Sequence, residues 1–489
     1  MSKRTPAAAL AAAVTITISS AAFAQYSFRE LDTNGFPIAQ VRDVANGMAV
    51  GYGVTVLEGD GEQHALAWPL NTGGARIDLD HGYRKTEAIG VDNAHHIAGD
   101  VRFVGLREAR PGYWPSPNAA PIDYAGNLNY SYANATQGNQ IIGWGHRLQA
   151  PDPVNDAGFI WDVPSKNRTA LPGPDGAMVT YGRNLDGTWA VGSASVPTPS
   201  GYMGAAAWDI SNLSSIRAIN LHPTGFDYSD TNAVHDGKAV GLARQGPVGS
   251  DFNHAYLWDL TAGTARDLHA LLPASMHAVG SSATDLRGDF VVGQAMDAAG
   301  NLWGVAWDLA SNRVIDLRQF MPAGTTFSSA TALNDDGQIV GDWWKTSDDR
   351  NVFVLTPDRM DGDSDNNGVI NFDDYVHIDN GFNSHINGWA NGDFDHNGVV
   401  NFDDYVLIDL AFNNQNGSLS RALALLNGAD PNGNGMTDPA LRKVRDHLAE
   451  FGSDYANHFA AAVPEPTVLG LTGVMTSVAM LSRRRRRSA

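Results

Sequence analysis

An apolar residue followed by glycine recurs at Val50-Gly51, Ala98-Gly99, Ile142-Gly143, Val191-Gly192, Val240-Gly241, Val292-Gly293 and Val340-Gly341. The intervals are 48, 44, 49, 49, 52 and 48 residues. Tryptophan keeps step at Trp68, Trp114, Trp161, Trp208, Trp258 and Trp307, with Leu355 in the corresponding place of the seventh copy. Each copy contains short apolar or alternating runs bounded by Asp-Gly pairs such as Asp186-Gly187, Asp236-Gly237 and Asp336-Gly337, the chemistry of strands joined by tight hairpins. One such sheet cannot bury both of its faces, so the copies must stack, with the repeated tryptophan filling the space between neighbours. Seven units of this length predict an all-β, seven-bladed β-propeller of four-stranded blades.

The ends of the repeat array carry a further constraint. The last strand of each unit (ARIDL, APIDY, RTALP, RAINL, ARDLH, RVIDL) has no counterpart after the seventh copy, which stops at NVFVLTPD (351–358). A spare copy precedes the first unit as Tyr26-Ser27-Phe28-Arg29-Glu30-Leu31-Asp32. Donation of this N-terminal strand to the last blade would close the ring and leave no open sheet edge. A linear solenoid would have no use for the displacement.

The units resemble HAF-type extracellular repeats, whose signature is a glycine-ended strand, a His-Ala-Phe-like strand and an Asp-Leu strand. His64-Ala65 and His254-Ala255 match it best, whereas Arg110, Ala157, Gly204, Trp303 and Asn351 replace the histidine elsewhere. That resemblance implies the fold and an extracellular setting. It supplies no catalytic residues.

Downstream the composition changes abruptly. Residues 358–409 hold twelve aspartates, no glutamate, no lysine and the single Arg359. NFDDYVHID (371–379) returns as NFDDYVLID (401–409), offset by 30. Before each copy lies a twelve-residue calcium-loop pattern. Asp363, Asp365 and Asn367 take positions 1, 3 and 5, Gly368 the turn, Val369 a carbonyl at 7, Asn371 position 9 and Asp374 position 12. The second loop uses Asp393, Asp395, Asn397, Gly398, Val399, Asn401 and Asp404 in the same places. Oxygen donors at these intervals suit a hard cation, so two Ca2+ ions are expected.

Two loops, each followed by one helix, resemble a type I dockerin, over residues 359–414. A dockerin implies a cohesin-like partner contacted through loop positions 10 and 11. Here those positions are Phe372-Asp373 and Phe402-Asp403 in place of small hydroxyl residues. Calcium binding therefore follows from the resemblance and cohesin binding does not, and Phe372 and Phe402 are expected in the core. Residues 415–462 then read as short helices, with Asp438 as N-cap, Pro439 at the first helical position and Gly452 as a stop.

The two termini read as addresses. Residues 1–24 combine Lys3 and Arg4 with a small and apolar stretch ending in Ala22-Phe23-Ala24, an export signal with cleavage after Ala24. Residues 463–489 contain Pro464-Glu465-Pro466, an apolar segment at 468–481 and Arg483 to Arg487. The apolar segment is transmembrane-like but short for a stable span, which suits transient membrane insertion. This tail resembles the PEP-CTERM sorting signal, which implies processing by an exosortase and release to the surface or matrix of a Gram-negative bacterium. Removing residues 1–24 and everything after Pro466 deletes seven basic and no acidic residues, taking the formal charge from −20 to −27.

The balance of composition narrows the function. With no cysteine there is no disulfide, thiol nucleophile or cysteine-ligated metal. The negative charge disfavours nucleic acid. No catalytic constellation emerges: His95-His96 reads as a solvated turn, and Asp209, Asp259 and Asp308, which follow the strand tryptophans, read as turn caps. Asp100 and Asp342, each just after a repeat glycine, are the candidates for carboxylates facing a channel. The expectation is a non-catalytic exported binding or scaffold protein of the cell surface, outer membrane or matrix. The alternative is a polysaccharide-acting hydrolase or lyase that uses the channel.

Overall fold

The computed structural model describes residues 25–463 except 57–60, 71–74, 84, 104–107, 127, 129, 147–155, 199–202, 247–252, 311, 347–349, 359, 366–368, 387, 396–398 and 429–437. Ala24, Pro464, Glu465, Pro466 and the apolar segment at 468–481 therefore lie outside the described residues. The chain divides into two compact units, residues 26–357 and the helical residues from 358 onward.

The first unit is a seven-bladed β-propeller. Its seven four-stranded antiparallel sheets begin with the strands Ile38–Ala45, Thr86–Val91, Ser131–Gln137, Thr180–Asp186, Tyr228–His235, Ala278–Arg287 and Phe327–Leu333, which open blades I to VII. Each of these strands touches the first strand of the next blade, and the one in blade VII touches the one in blade I. They line a central channel. One buried core joins Val41, Leu66 and Trp68 of blade I to Ala332, Val340 and Val352 of blade VII. In the sheet of blade VII the strand order is Gln25–Glu30, Asn351–Asp358, Ile339–Trp344, Phe327–Leu333.

The repeat glycine has a steric cause. In every blade the inner strand slips register by one residue beside it, as between Val41 and Asp43 opposite Gly51, or Gly182 and Asn184 opposite Gly192. This β-bulge pushes a carbonyl toward the neighbouring strand. A Cβ at Gly51 would lie 2.0 Å from the Gln40 oxygen, and one at Gly192 1.9 Å from that of Tyr181. Only glycine fits there.

The tryptophans are buried between blades, and five of the six donate an indole hydrogen bond to the carbonyl just after the outer strand of the preceding blade. The pairs are Trp68 to Asp32, Trp114 to Leu79, Trp208 to Pro172, Trp258 to Leu221 and Trp307 to Leu268, at 2.7 to 3.1 Å. Trp161 is buried with no partner for its indole nitrogen among the described residues.

A row of buried hydroxyls, not singled out in the sequence, repeats the same logic. Thr86, Thr180, Ser229, Ser281 and Ser328 open the inner strands and accept the amides of Ala65, Gly158, Ala205, Ala255 and Gly304 in the preceding blade. Ser131 occupies the same place, but the residue equivalent to those amide donors is Pro111, which has no N–H to give, and the Ser131 hydroxyl has no partner among the described residues.

Among its described residues the second unit holds four α-helices: α1 (Phe372–Ser384), α2 (Phe402–Gln415), α3 (Leu419–Leu426) and α4 (Pro439–Ala462). Asp438 caps α4 by accepting the Ala440 amide, as the sequence predicts; Gly452, expected as a stop, only kinks the helix at φ +73°, and it resumes to Ala462. A single core joins Ile370, Tyr375 and Ile408 to Leu441, Val444, Tyr455 and Phe459, so residues 415–462 complete the module of the aspartate loops. Among the described residues no helix is long and apolar enough to cross a membrane.

Candidate metal centre and channel residues

The two aspartate loops are built alike. Asn371 caps α1 by accepting the Asp373 amide at 2.7 Å, and Asn401 caps α2 through Asp403 in the same way. Asp374 returns a capping-box bond to the Asn371 amide at 2.9 Å, and Asp404 does so to Asn401 at 2.9 Å. The other oxygen of each carboxylate accepts a loop amide, Ser364 for Asp374 and Phe394 for Asp404. The Asn-x-x-Asp spacing thus carries a capping signal as well as ligand positions 9 and 12.

With position 12 pinned by the helix start, the loop brings the remaining acids to it. Asp363, Asp365 and Asp374 offer oxygens within 4.8 Å of one another, and so do Asp393, Asp395 and Asp404. Asp374 and Asp404 are fully buried, and burial pushes Asp404 up to about 6, with the neighbouring Asp395 charge adding to the rise. Three hard oxygen donors on one side of a tight loop fit a cation of the calcium type. The Oδ2 of each position-12 carboxylate accepts one amide and keeps a further lone pair, whereas each Oδ1 already accepts two donors. Val369 and Val399 have exposed side chains, as suits a residue used for its main chain alone. Asn367 and Asn397 lie outside the described residues.

Behind the loops the duplication exchanges hydrogen bonds. The Tyr405 hydroxyl of α2 donates to Asp379 of α1 at 2.7 Å, and that of Tyr375 of α1 donates to Asp409 of α2. Helix α4 breaks the symmetry, because Asp409 also receives Tyr455 and His447 and is wholly buried. The two phenylalanines at loop position 10 part ways for the same reason. Phe402 lies against Phe451 and His458 of α4, whereas Phe372 is 71% exposed. The expectation that Phe372 belongs to the core is thus corrected: no element equivalent to α4 covers it among the described residues.

In the propeller, acids bind neighbouring blades. Asp43 accepts the Val44 amide and, across the blade gap, that of Val91. Asp285 does the same with Leu286 and Leu333. Asp100 accepts Ala133 of the next blade at 3.2 Å, and Asp342 accepts Val41 at 3.0 Å. Enclosure by the ring pushes Asp342 up to about 7 and Asp100 well above the usual carboxylate range. Asp43 also rises to about 7, through enclosure and the Asp285 charge. Glu87, opposite Asp100 in the sheet of blade II, pairs with Arg42 of blade I at 2.8 Å. Asp100 and Asp342 are therefore not a bonded pair; each is held by a separate inter-blade amide.

The bulge residues form further ties that sequence reading missed. Asn134 donates to the Gly182 carbonyl, Asn232 to Ala283 and Thr284 to Ala330, while Arg183 pairs with Asp230 at 2.9 Å. His96 binds Asp92, and His95 reaches the Asn46 carbonyl. Asp209 and Asp259 cap their turns through Ser211 and Thr261.

No family model matches the chain, and no curated protein matches it. Solved structures that resemble it include an acylaminoacyl peptidase of Pyrococcus horikoshii, 11% identical, covering 67% of this chain and 52% of that one with a TM-score of 0.46. The β-propeller domain of the Trilobed protease from Pyrococcus furiosus is 9% identical, covering 65% and 94%, with a TM-score of 0.43. TolB from Acinetobacter baumannii is 12% identical, covering 64% and 80%, with a TM-score of 0.32. The chain spans about half the length of the Pyrococcus horikoshii peptidase.

Proposed function

We propose that this is an exported, non-catalytic binding or scaffold protein whose helical unit is ordered by two calcium ions and serves for attachment. The observation that carries the reading is the pair of aspartate triads, Asp363/Asp365/Asp374 and Asp393/Asp395/Asp404, each converging within 4.8 Å. The propeller, closed by pairing of Gln25–Glu30 with Asn351–Asp358, presents its loops to a surface partner or polysaccharide. The helical unit acts as a dockerin-like module toward a cohesin-like or other surface protein, and the termini serve export and exosortase-type sorting at Ala24 and at Pro464-Glu465-Pro466. The test is recovery of partners from the native cell envelope with and without a calcium chelator. Chelation should remove the partners held by the helical unit; recovery of the same proteins in both arms overturns attachment through calcium-ordered loops.

A second reading is a polysaccharide-acting hydrolase or lyase. It rests on Asp100 and Asp342, held above the usual carboxylate range, together with Glu87 and its partner Arg42. Against it, each aspartate already serves an inter-blade amide. Release of reducing ends from a panel of acidic and neutral polysaccharides, lost in Asp342→Asn and Asp100→Asn, would favour it over the first reading.

A further inference from the structure

Between α1 and the second aspartate loop lies a 3-10 turn, Trp389–Asn391, which with its cap Gly388 touches the first ligand position of both loops. The buried Trp389 indole donates to the backbone carbonyl of Asp363 at 2.7 Å, which is position 1 of the first loop. Its ring meets Phe394 edge-on at 5.1 Å, and Phe394 lies between Asp393 and Asp395 of the second loop. The Phe394 amide donates to Asp404 at 2.7 Å. Gly388, just before the tryptophan, donates its amide to the Asp393 carboxylate at 3.3 Å and accepts the Asp393 amide at 3.2 Å.

The turn is also fastened to α1. A Cβ on Gly381 would lie 2.0 Å from the Asn391 oxygen, and one on Gly392 would strike Ile378 at 2.5 Å, so the backbones meet with no room for a side chain. The turn cannot shift at one loop without shifting at the other. The residue 30 positions before Trp389 is Arg359, so the duplication did not copy this link.

We propose that Trp389 couples the two cation sites, so that filling the first loop orders the second and the ions bind with positive cooperativity. This rests on the calcium reading above. An ion at the first loop draws Asp363, Asp365 and Asp374 together and fixes the Asp363 carbonyl. Trp389 is then held in place, and with it Gly388 on Asp393 and Phe394 on Asp404. By linkage the second ion must favour the first by the same factor. Trp389 is a positioning residue here and contacts no ion.

The experiment is a calorimetric Ca2+ titration of the full chain, the Asp363→Asn variant and Trp389→Phe, which keeps a ring but loses the indole donor. The wild-type chain should bind two ions, with the second about 5-fold or more tighter than the first after statistical correction. Trp389→Phe should still bind two ions, without that enhancement, and Asp363→Asn should bind one ion at the unenhanced affinity of the second loop. Two ions bound independently by the wild-type chain, or full cooperativity retained in Trp389→Phe, overturns the coupling and leaves the metal reading standing. Absence of any bound calcium in the wild-type chain overturns both. Should Trp389→Phe lose its helical circular dichroism, the wild-type isotherm and Asp363→Asn decide the matter by themselves.

Discussion

The indole N–H of Trp68 donates to the carbonyl of Asp32 at 2.8 Å, across the seam where the propeller's first and last blades meet. Four other tryptophans make the same bond to the residue that follows the outer strand of the blade before them. Asp32 stands just after Gln25–Glu30, so the seam repeats the contact made between ordinary neighbours. Trp68→Phe should cost about 1 kcal/mol from the lost bond. Deleting residues 25–32 should cost far more, because it exposes the edge of Asn351–Asp358. Thermal unfolding of both variants checks this; equal, small losses would show that the seam strand contributes little.

The glycine at the bulge should be the least replaceable residue type in each blade. Gly192→Ala sets a methyl 1.9 Å from the Tyr181 oxygen, and should cost about 3 kcal/mol or more through backbone displacement. Gly187, at φ +55° with open space around it, makes the control: Gly187→Ala should cost about 1 kcal/mol through strain alone. Denaturant midpoints of the two variants should differ in that order.

Stability of the propeller should rise as pH falls from above 7 toward 4. Asp43 and Asp342 stand at about 7 in the folded chain, above the ordinary aspartate value near ~4 of an unfolded one. Between those values the folded state holds more protons, so lowering pH favours it; above 7 the full cost of the buried charges is present. Asp43→Asn should flatten this dependence, while giving up one of the two amide bonds to Val44 and Val91. Melting temperature measured against pH for both chains is the check, and an identical slope would refute the assignment.

Asp409→Asn should loosen the helical unit. The buried carboxylate accepts Tyr375, Tyr455 and His447, and a neutral amide turns one acceptor into a donor facing them. A loss of about 3 kcal/mol is expected, read from the helical circular-dichroism transition. Asp379→Asn is the contrast: its carboxylate receives Tyr405, is only half-buried and should cost less.

Much of this molecule was legible along the chain, for a physical reason. Bulge glycines, inter-blade tryptophans and ligand-bearing loops are demands made by local backbone geometry on one residue type, so a duplicated fold must repeat them at fixed intervals. The seven blades could therefore be read from spacing.

The ties between elements were settled only in three dimensions. Ser131 and Thr180 hold equivalent places, yet one hydroxyl has no partner among the described residues and the other accepts the Gly158 amide. Phe372 and Phe402 sit in nearly identical sequences, but α4 covers only the second. Asp100 and Asp342 follow equivalent repeat glycines, and each holds the amide of a different neighbouring blade. In each case the partner lies tens of residues away, and burial or pairing depends on which surface the fold lays against the side chain. Pattern determines which elements form; only packing decides what each exposed or buried group meets.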